Sequence, residues 1–524
     1  MDRMARGFVF ALALLVPANA RAFCGFYVAG ADDTLVNDAT MVVMMREGSR
    51  TVLSMQNHYQ GPPEGFAMVV PVPEVLQEGD VKVLQNEVFE RIDHLAAPRL
   101  VEYWERDPCW FQPQYRSSNR YAIEGGGNAE MARMAGILGT LQVNVEAEFV
   151  VGEYEIVILG AEDSGDLETW LRLNDHSIPD GAEPVLRPYV EAGMKFFVAK
   201  VDPTKVAFED GHAKLSPLRF HYDTDTFQLP VRLGLLNAEG EQDLIVHIIA
   251  PEQRYELANY PNVTIPTNID VADEVRDRFA EFYAALFDET LVANPRSVVT
   301  EYSWQATNCD PCPGPPFTLA DAEMLGADVL PSLQGLSGPM NGRAFDEAMT
   351  SFRNLVLTRL HTRYDRETLT EDLVFREAAP IVGGREVMAV NGELEHGSQR
   401  ASVNNFQGRY AIRHPWEGPI ECEDPVRGRW GGSPGQSTEP RPATELAFAA
   451  RGQLQLPQMV RSPIPELGVD ASATEPPAPP ESSTDEARTI ERRPVDGCGG
   501  CAAAGGPLSG VAFLAAWVLV RRRR

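Results

Sequence analysis

The amino-acid sequence predicts an α+β fold, with a mixed, mainly antiparallel sheet and several helices. Short runs of β-branched and apolar residues, bounded by Gly- and Pro-containing turns, open the folded region and predict strands. Other segments repeat apolar residues at helical spacing. The two kinds of segment do not alternate regularly, as they would in a doubly wound fold, so an antiparallel arrangement is favoured.

The first part of the folded region is predicted to form a meander of strands followed by a helix. Val88, Ile92 and Leu95 recur at helical spacing and predict a helix over residues 81–95. Pro98 interrupts this pattern, and residues 100–106 predict a further helical turn or two. The strands predicted before this helix cover residues 40–45, 51–56 and 66–72.

The rest of the folded region mixes both element types. Asp166 is the predicted N-cap of a short helix, because an Asp before an apolar run satisfies the first free backbone N–H groups. The predicted strands cover residues 143–151, 154–159, 195–201, 227–233, 244–249 and 357–364. The predicted helices cover residues 167–173, 271–287, 317–325 and 344–357.

The N-terminus reads as a secretory signal peptide. Arg3 and Arg6 precede an apolar stretch over residues 8–16, and Ala20 and Ala22 frame an A-x-A-like site. We therefore expect cleavage before Phe23. An uncleaved anchor is the alternative.

Composition divides the remainder into three regions. Residues 23–430 are predicted to be folded outside the cytoplasm, as two subdomains with a boundary near residues 260–300. Residues 431–497 are rich in Pro, Ser and Glu and predict a disordered stalk. Residues 498–524 predict a sorting or membrane tail that contains a short hydrophobic helix. The net charge of −29 disfavours nucleic acid as a partner, since such a surface repels phosphates.

The tail combines Cys498 and Cys501, an apolar run over residues 508–520 and four terminal arginines. A spanning helix needs about 20 predominantly apolar residues, and the uncharged residues 501–507 can supply the missing length. The arginines would stay on the cytoplasmic side of the membrane. The sequence therefore predicts an exported protein held at the membrane through its C-terminus.

Four sequence segments carry a resemblance to a known family. The segments from Phe23 to Gly30, Leu53 to Pro63, Phe66 to Pro73 and Arg99 to Trp104 resemble an exported bacterial family of unknown function, DUF2330. The resemblance covers most of residues 23–420. The family has no established activity, so the resemblance implies no catalytic residue and no cofactor.

The tail resembles the tripartite C-terminal sorting signal of myxobacterial surface proteins. In that group a membrane protease is thought to process the tail near its cysteine motif. The resemblance implies a sorting protease as a partner, processing or lipidation at Cys498 or Cys501, and a final position on the cell surface or outer membrane. A permanent single-pass span in the inner membrane, with the bulk of the chain periplasmic, is the alternative.

The other five cysteines are candidates for disulfides, because an exported chain meets an oxidising environment. We expect Cys24 to pair with Cys109, and Cys309 to pair with either Cys312 or Cys422.

Cys309 and Cys312 form a C-x-x-C motif with Pro313, Pro315 and Pro316 directly after it. These prolines prevent a helix from starting at the second cysteine, and such a helix is what lowers a thiol pKa in thioredoxin-like motifs. A structural disulfide is therefore favoured, with thiol-disulfide exchange and metal binding as alternatives.

No established catalytic motif stands out. His58 lies in a polar stretch, and His212 and His221 lie near three carboxylates at a spacing that fits no metal motif. The sequence therefore predicts no catalytic residue, metal site or cofactor. It favours a binding or structural module of unknown ligand over an extracytoplasmic hydrolase or thiol-disulfide oxidoreductase. A pocket that joins His58 or His212 to carboxylates would favour the enzyme.

Overall fold

The structure is a computed structural model. It describes residues 26–28, 36–37, 40–56, 59–60, 67–109, 143–174, 181–209, 212–237, 241–310, 312–338, 342–385, 395–431, 452 and 454–471. All of these belong to one compact unit, Met1–Pro479.

The strands dominate the described residues. In chain order they are β1 Phe26–Val28, β2 Val36–Asn37, β3 Thr40–Glu47, β4 Arg50–Gln56, β5 Tyr59–Gln60, β6 Ala67–Val72, β7 Val81–Val83, β8 Arg99–Glu105, β9 Val143–Val151, β10 Tyr154–Ala161, β11 Lys195–Val201, β12 Ala207–Glu209, β13 His212–Lys214 and β14 Leu218–Asp223. They continue with β15 Gln228–Leu229, β16 Gln242–Pro251, β17 Arg254–Leu257, β18 Asn262–Thr264, β19 Ile269–Asp270, β20 Val298–Gln305, β21 Leu355–Tyr364, β22 Leu373–Ala378, β23 Ile381–Gly383, β24 Gln399–Arg400, β25 Asn405–Gln407, β26 Arg409–His414 and β27 Trp430–Gly431.

The described α-helices are fewer and mostly short. They are α1 Glu87–Ala96, α2 Ser164–Leu173, α3 Ala182–Glu191, α4 Phe279–Ala293, α5 Leu319–Ala322, α6 Arg343–Arg353 and α7 Leu456–Met459. No helix among the described residues is both long and apolar enough to cross a membrane.

An 11-stranded sheet forms the centre of the molecule. Its order is β24-β23-β25-β20-β21-β16-β3-β4-β14-β7, with β18 beside β20. Most neighbours are antiparallel, whereas β16 pairs with β3 in parallel. The predicted α+β class with mainly antiparallel sheets is confirmed. The sheet includes β16, which precedes residues 260–300, and β21, which follows them.

A second sheet, of five strands in the order β1-β6-β11-β10-β9, packs against one face of the central sheet. Met68 and Phe197 from the smaller sheet enter the same apolar core as Val246 and Leu360 from the central one. Helices α2 and α3 cover the outer face of the smaller sheet. Helix α1 and the segment that contains α5 and α6 cover the opposite face of the central sheet.

A four-stranded sheet, in the order β19-β26-β8-β27, adjoins helix α4. Leu100 of β8 and Tyr410 of β26 are parallel neighbours and pack with Phe282 of the helix. This sheet joins chain segments about 300 positions apart, because β8 and β26 pair along six consecutive residues.

The helix predicted over residues 81–95 is confirmed in part, and the helical turns predicted over residues 100–106 are wrong. Residues 81–83 form β7, because Val81 and Val83 pair with β14, and the helix begins only at Glu87. Residues 99–105 form β8, because pairing with β26 supplies the backbone hydrogen bonds of a strand. Local spacing could not reveal a partner so distant in sequence.

Two further elements differ from prediction. The N-cap of α2 is Asp163, whose carboxylate accepts the backbone N–H groups of Gly165 and Asp166. The strand expected over residues 227–233 is limited to β15, and a 3-10 helix, Arg232–Asn237, follows it.

The predicted disordered stalk, residues 431–497, contains an ordered segment. Residues 454–471, the strap, run along α4 and the edge of the four-stranded sheet. Leu456 and Val460 are buried in the core around α4. The backbone N–H of Ala272 donates to the carbonyl of Met459, and that of Arg461 donates to the carbonyl of Asp270. The stalk prediction is therefore wrong for this segment, because a few well-spaced apolar residues suffice once a groove is present. The rest of the stalk beyond residue 431 lies outside the described residues, except for Gly452.

Candidate functional site

Strand β21 places charged side chains on one face of the central sheet. Arg359, His361 and Arg363 are two positions apart, so they project on the same side of the strand. Leu360 and Tyr364, at alternate positions of the strand, enter the apolar core on the other side. All ten residues of β21 are buried, which is unusual for a strand with three basic side chains.

Glu301 connects the first two of these basic groups. The Nε of Arg359 donates to Oε2 of Glu301 at 2.5 Å, and Nδ1 of His361 lies 2.8 Å from Oε1. The Nη1 of Arg359 also donates to Asp93 of α1. One buried carboxylate therefore serves both a guanidinium and an imidazole.

Asp243 of β16 extends the connection. Its Oδ1 lies 3.0 Å from Nε2 of His361 and accepts Nε of Arg363 at 3.0 Å. Arg363 also donates to Asp288 of α4. We call this continuous set of groups the charged row, and its members are Asp93, Arg359, Glu301, His361, Asp243, Arg363 and Asp288.

A local irregularity of β20 places Glu301 in the charged row. Thr300 pairs with Leu360 and Tyr302 pairs with Arg359, so Glu301 is the extra residue of a β-bulge. Bulges redirect a side chain relative to the regular pleat. The carbonyl of Glu301 still accepts the backbone N–H of Gly408, which holds the bulge in place.

The pKa shifts within the row follow from its pairing. Burial alone would raise the pKa of Glu301, but His361 and Arg359 outweigh it, and the pKa lies below its usual range. Burial would likewise raise the pKa of Asp243, but His361 and Arg363 outweigh burial and lower it. Burial alone would lower the pKa of His361, yet Glu301 and Asp243 raise it. The imidazolium form of His361 is therefore favoured.

His247 of β16 behaves in the opposite way. Its Nε2 lies 3.7 Å from a carboxylate oxygen of Asp93 but also 3.5 Å from Nη1 of Arg359. Burial and the charge of Arg359 hold the pKa of His247 well below 6.5. The neutral imidazole is therefore favoured, and its contact with Asp93 is not an ion pair.

The row reaches the surface at one end. The side chains of Glu301 and Arg359 are 0% and 1% exposed, whereas that of Asp288 is 25% exposed. Phe287 stacks on the His361 ring at a centroid distance of 3.9 Å, and the guanidinium of Arg363 lies 5.1 Å from the Phe287 ring. Helix α4 thereby covers the imidazole. The row can fix the sheet to α1 and α4 and can take up or release a proton at His361.

A second polar cluster lies nearer the surface, at the end of the four-stranded sheet. Nε2 of His414 lies 2.8 Å from Oε2 of Glu102, and Arg276 binds the same carboxylate through both oxygens at 2.8 Å. Trp104 stacks on His414 with ring centroids 4.4 Å apart. Arg276, helped by His414 and opposed by burial, lowers the pKa of Glu102.

Several sequence-predicted candidates are not described by the structure. Cys24, His58, Cys498 and Cys501 lie outside the described residues. His212 is described only as part of the backbone of β13.

The other predicted histidine, His221, does not gather carboxylates into a site. Its Nε2 lies 3.3 Å from Asp80, while Asp223 binds Arg50. Within the described part of the chain, no group of three His, Cys, Asp or Glu side chains is placed to hold a metal ion.

The cysteine pairing differs in part from expectation. Cys109 is bonded to Cys422, so the expected pairing of Cys109 with Cys24 is wrong. Cys309 is bonded to Cys312, which is one of the two alternatives predicted for it. The Cys109–Cys422 bond joins residues on the loops that follow β8 and β26, which are parallel neighbours, and this adjacency is the physical reason for the pairing.

Sequence reasoning missed every member of the charged row. One signal was present: Arg359, His361 and Arg363 alternate with apolar or small residues in a segment predicted to be a strand. Basic residues with a period of two usually mark a solvated face. Nothing local indicated that Glu301 and Asp243 would cover that face.

Comparisons with known proteins give little beyond the family. No curated protein matches this chain. Among solved structures, the crystal structure of baculovirus P35 aligns with 13% identity and a TM-score of 0.21, over 42% of this chain and 66% of that chain. This similarity is too low to support an argument about fold or function.

A family model gives the identification. The model described as an uncharacterized protein conserved in bacteria matches residues 17–376. This range covers more than half of the chain and includes the sequence segments from Phe23 to Trp104 that suggested the same family. The protein belongs to the DUF2330 family of uncharacterized bacterial proteins.

Proposed function

We propose that this protein is an exported module, displayed on the cell envelope by its C-terminal tail, with a binding or structural role. The charged row is the observation that supports the binding or structural role. Its buried carboxylates and basic groups are engaged with one another, and this pairing ties the central sheet to α1 and α4. Such an arrangement suits a stiff scaffold.

The disulfides support the proposed location. Cys109–Cys422 links residues 313 positions apart, and a second bond joins Cys309 and Cys312. Disulfides persist in the oxidising compartments outside the cytoplasm. The predicted signal peptide and the acidic composition agree with export.

Mass spectrometry of the C-terminal peptide from envelope fractions tests the display. We expect the mature protein to lack Arg521 to Arg524 and to carry a lipid near Cys498 or Cys501. The double variant Cys498→Ala, Cys501→Ala should be released or mislocalised. An intact, unmodified tail, or unchanged fractionation of the variant, would instead favour the permanent single-pass anchor.

An extracytoplasmic hydrolase is the second candidate, favoured by the partly exposed pair of Glu102 and His414. A carboxylate that contacts an imidazole is a common acid–base arrangement. A panel of ester, amide and glycoside substrates tests it with wild type and His414→Ala. Turnover that the variant loses would favour the hydrolase, and equal background with both proteins would favour the scaffold.

A further inference from the structure

The Cys309–Cys312 disulfide lies in the loop between β20 and α5. Cys309 is buried and packs in the core beneath α5, with Ala306 and Phe317, whereas Cys312 is exposed. We propose that this bond is a thiol-responsive site, opened selectively by an external dithiol of the thioredoxin type while Cys109–Cys422 stays intact. The proposal is independent of how the tail is processed.

The two disulfides contribute unequally to stability because they close loops of different length. A disulfide restricts the unfolded chain more strongly as it closes a longer loop. Cys309 and Cys312 are only 3 positions apart, whereas Cys109 and Cys422 are 313 apart. Opening the short bond therefore sacrifices much less of the native state's stability, so the folded protein can tolerate its reduction.

The difference in exposure between Cys309 and Cys312 determines which of the two is attacked. An incoming thiolate reaches a disulfide through its accessible sulfur, which here belongs to the exposed Cys312. Attack forms a mixed disulfide with Cys312 and releases Cys309 as a thiolate, which takes up a proton. The second thiolate of the dithiol then attacks the mixed disulfide. The reductant leaves as a disulfide, and both cysteines become thiols.

The loop is connected to the central sheet, so opening it has a consequence there. Nε2 of Gln407, a fully buried residue of β25, donates to the carbonyl of Asp310 at 2.6 Å and to that of Gly384 at 3.0 Å. Asp310 lies inside the disulfide loop. Release of the loop would weaken one of these bonds and loosen the contact between β25 and the loop.

The motif is placed to be a substrate of a reductase and not a catalyst of exchange. Catalytic C-x-x-C motifs depend on a helix N-terminus that lowers the thiol pKa. Here α5 begins only at Leu319. This position distinguishes a responsive disulfide from the thiol-disulfide oxidoreductase that the motif alone suggested.

Differential alkylation tests selectivity. The folded, full-length protein is treated with dithiothreitol without denaturant, the new thiols are alkylated, and peptides are quantified by mass spectrometry over time. We expect Cys309 and Cys312 to be labelled at least about tenfold faster than Cys109 and Cys422, because Cys312 is exposed whereas Cys109 and Cys422 are both half-buried, and access controls the rate. Equal rates, or faster opening of Cys109–Cys422, would overturn the proposal.

Single variants test the direction of attack. Cys309→Ser leaves the exposed thiol of Cys312, and Cys312→Ser leaves the buried thiol of Cys309. An aromatic disulfide reagent at pH 8 should react about tenfold faster with the first variant than with the second. Similar rates would show that the two sulfurs are equally accessible, which would contradict the assigned point of attack.

Hydrogen exchange of wild type before and after reduction tests the consequence. We expect faster exchange in residues 305–317 and 405–409 after reduction, and the same change in oxidised Cys309→Ser, Cys312→Ser protein. The matched control Cys109→Ser, Cys422→Ser should keep the slow exchange of residues 405–409 until its remaining bond is reduced. Unchanged exchange in these segments on reduction would refute the coupling.

Discussion

At the scale of single residues, the charged row is the most demanding feature of this protein. A buried ion pair adds little net stability compared with an apolar replacement, since desolvation offsets the attraction. Removal of one partner alone is costly, because an unpaired charge then remains buried. Asp243 and Glu301 each contact two basic groups, but Glu301 is the more sensitive position because its side chain is 0% exposed and that of Asp243 is 10% exposed.

Glu301→Gln should lower the free energy of unfolding by about 3–5 kcal/mol, because Arg359 and His361 lose a shared counter-charge. Urea unfolding followed by circular dichroism measures the change. The matched control is Glu347→Gln, which removes one partner of the exposed Arg343–Glu347 pair and should leave the midpoint unchanged. Equal shifts in both variants would contradict a special role for the row.

The pKa shifts of the two buried histidines, His361 and His247, predict that the free energy of unfolding is greatest near pH 6.5. The pKa of His361 is raised, so its stabilisation is complete below about 6.5 and is lost as pH rises through the folded-state pKa. The pKa of His247 is lowered, so stability falls as pH drops below about 6.5 and only the unfolded chain binds the proton. At still lower pH, the lowered carboxylate pKa values of Glu301 and Asp243 add to the loss.

Urea midpoints measured between pH 5 and pH 9 test this maximum. His361→Asn should flatten the decline on the alkaline side, and His247→Asn should flatten the decline on the acidic side. If a variant shifts the urea midpoint equally at every pH, the decline of the midpoint in the pH range assigned to its histidine is unchanged. That result would contradict the assignment of that histidine.

At the scale of elements, tertiary partners decide several structures that local pattern does not. Strand β8 was predicted as helical turns, yet it forms a parallel pair with β26. The strap was predicted as disordered, yet Leu456 and Val460 fill the groove beside α4. By contrast, β3, β4, β6 and β10 agree with prediction, because their apolar runs are long enough to specify a buried strand.

Leu456→Ala should lower the free energy of unfolding by about 2–4 kcal/mol, because it leaves a cavity where the strap meets α4. Hydrogen exchange should also speed up over residues 454–464. Gln458→Ala, at an exposed position of the same helix α7, is the control and should behave as wild type. If neither variant changes exchange or stability, the strap does not contribute to the core.

At the scale of the whole molecule, the four-layer arrangement depends on contacts between distant segments. Two sheets share one apolar core, with helices on both outer faces. The Cys109–Cys422 bond reinforces the sheet in which the most distant strands, β8 and β26, are paired.

Cys109→Ser, Cys422→Ser should lower the free energy of unfolding by roughly 2–5 kcal/mol, since this bond closes a very long loop. The double variant Cys309→Ser, Cys312→Ser should lower the free energy of unfolding by clearly less, because the Cys309–Cys312 bond closes a short loop. Urea unfolding under non-reducing conditions measures both. A larger loss for the second variant would contradict the loop-length argument.

The sequence by itself determined the fold class, the family and most long apolar strands, because these depend on composition, on period-two or 3.6-residue spacing and on specific local motifs. Tertiary structure alone decided the partners of β8, the course of the strap, the pairing of Cys109 and the burial of Arg359, His361 and Arg363. Each of these depends on a group that is remote in sequence. Charged side chains on a strand face water unless another element brings counter-charges to them, and here Asp93, Asp243, Asp288 and a bulged Glu301 do so.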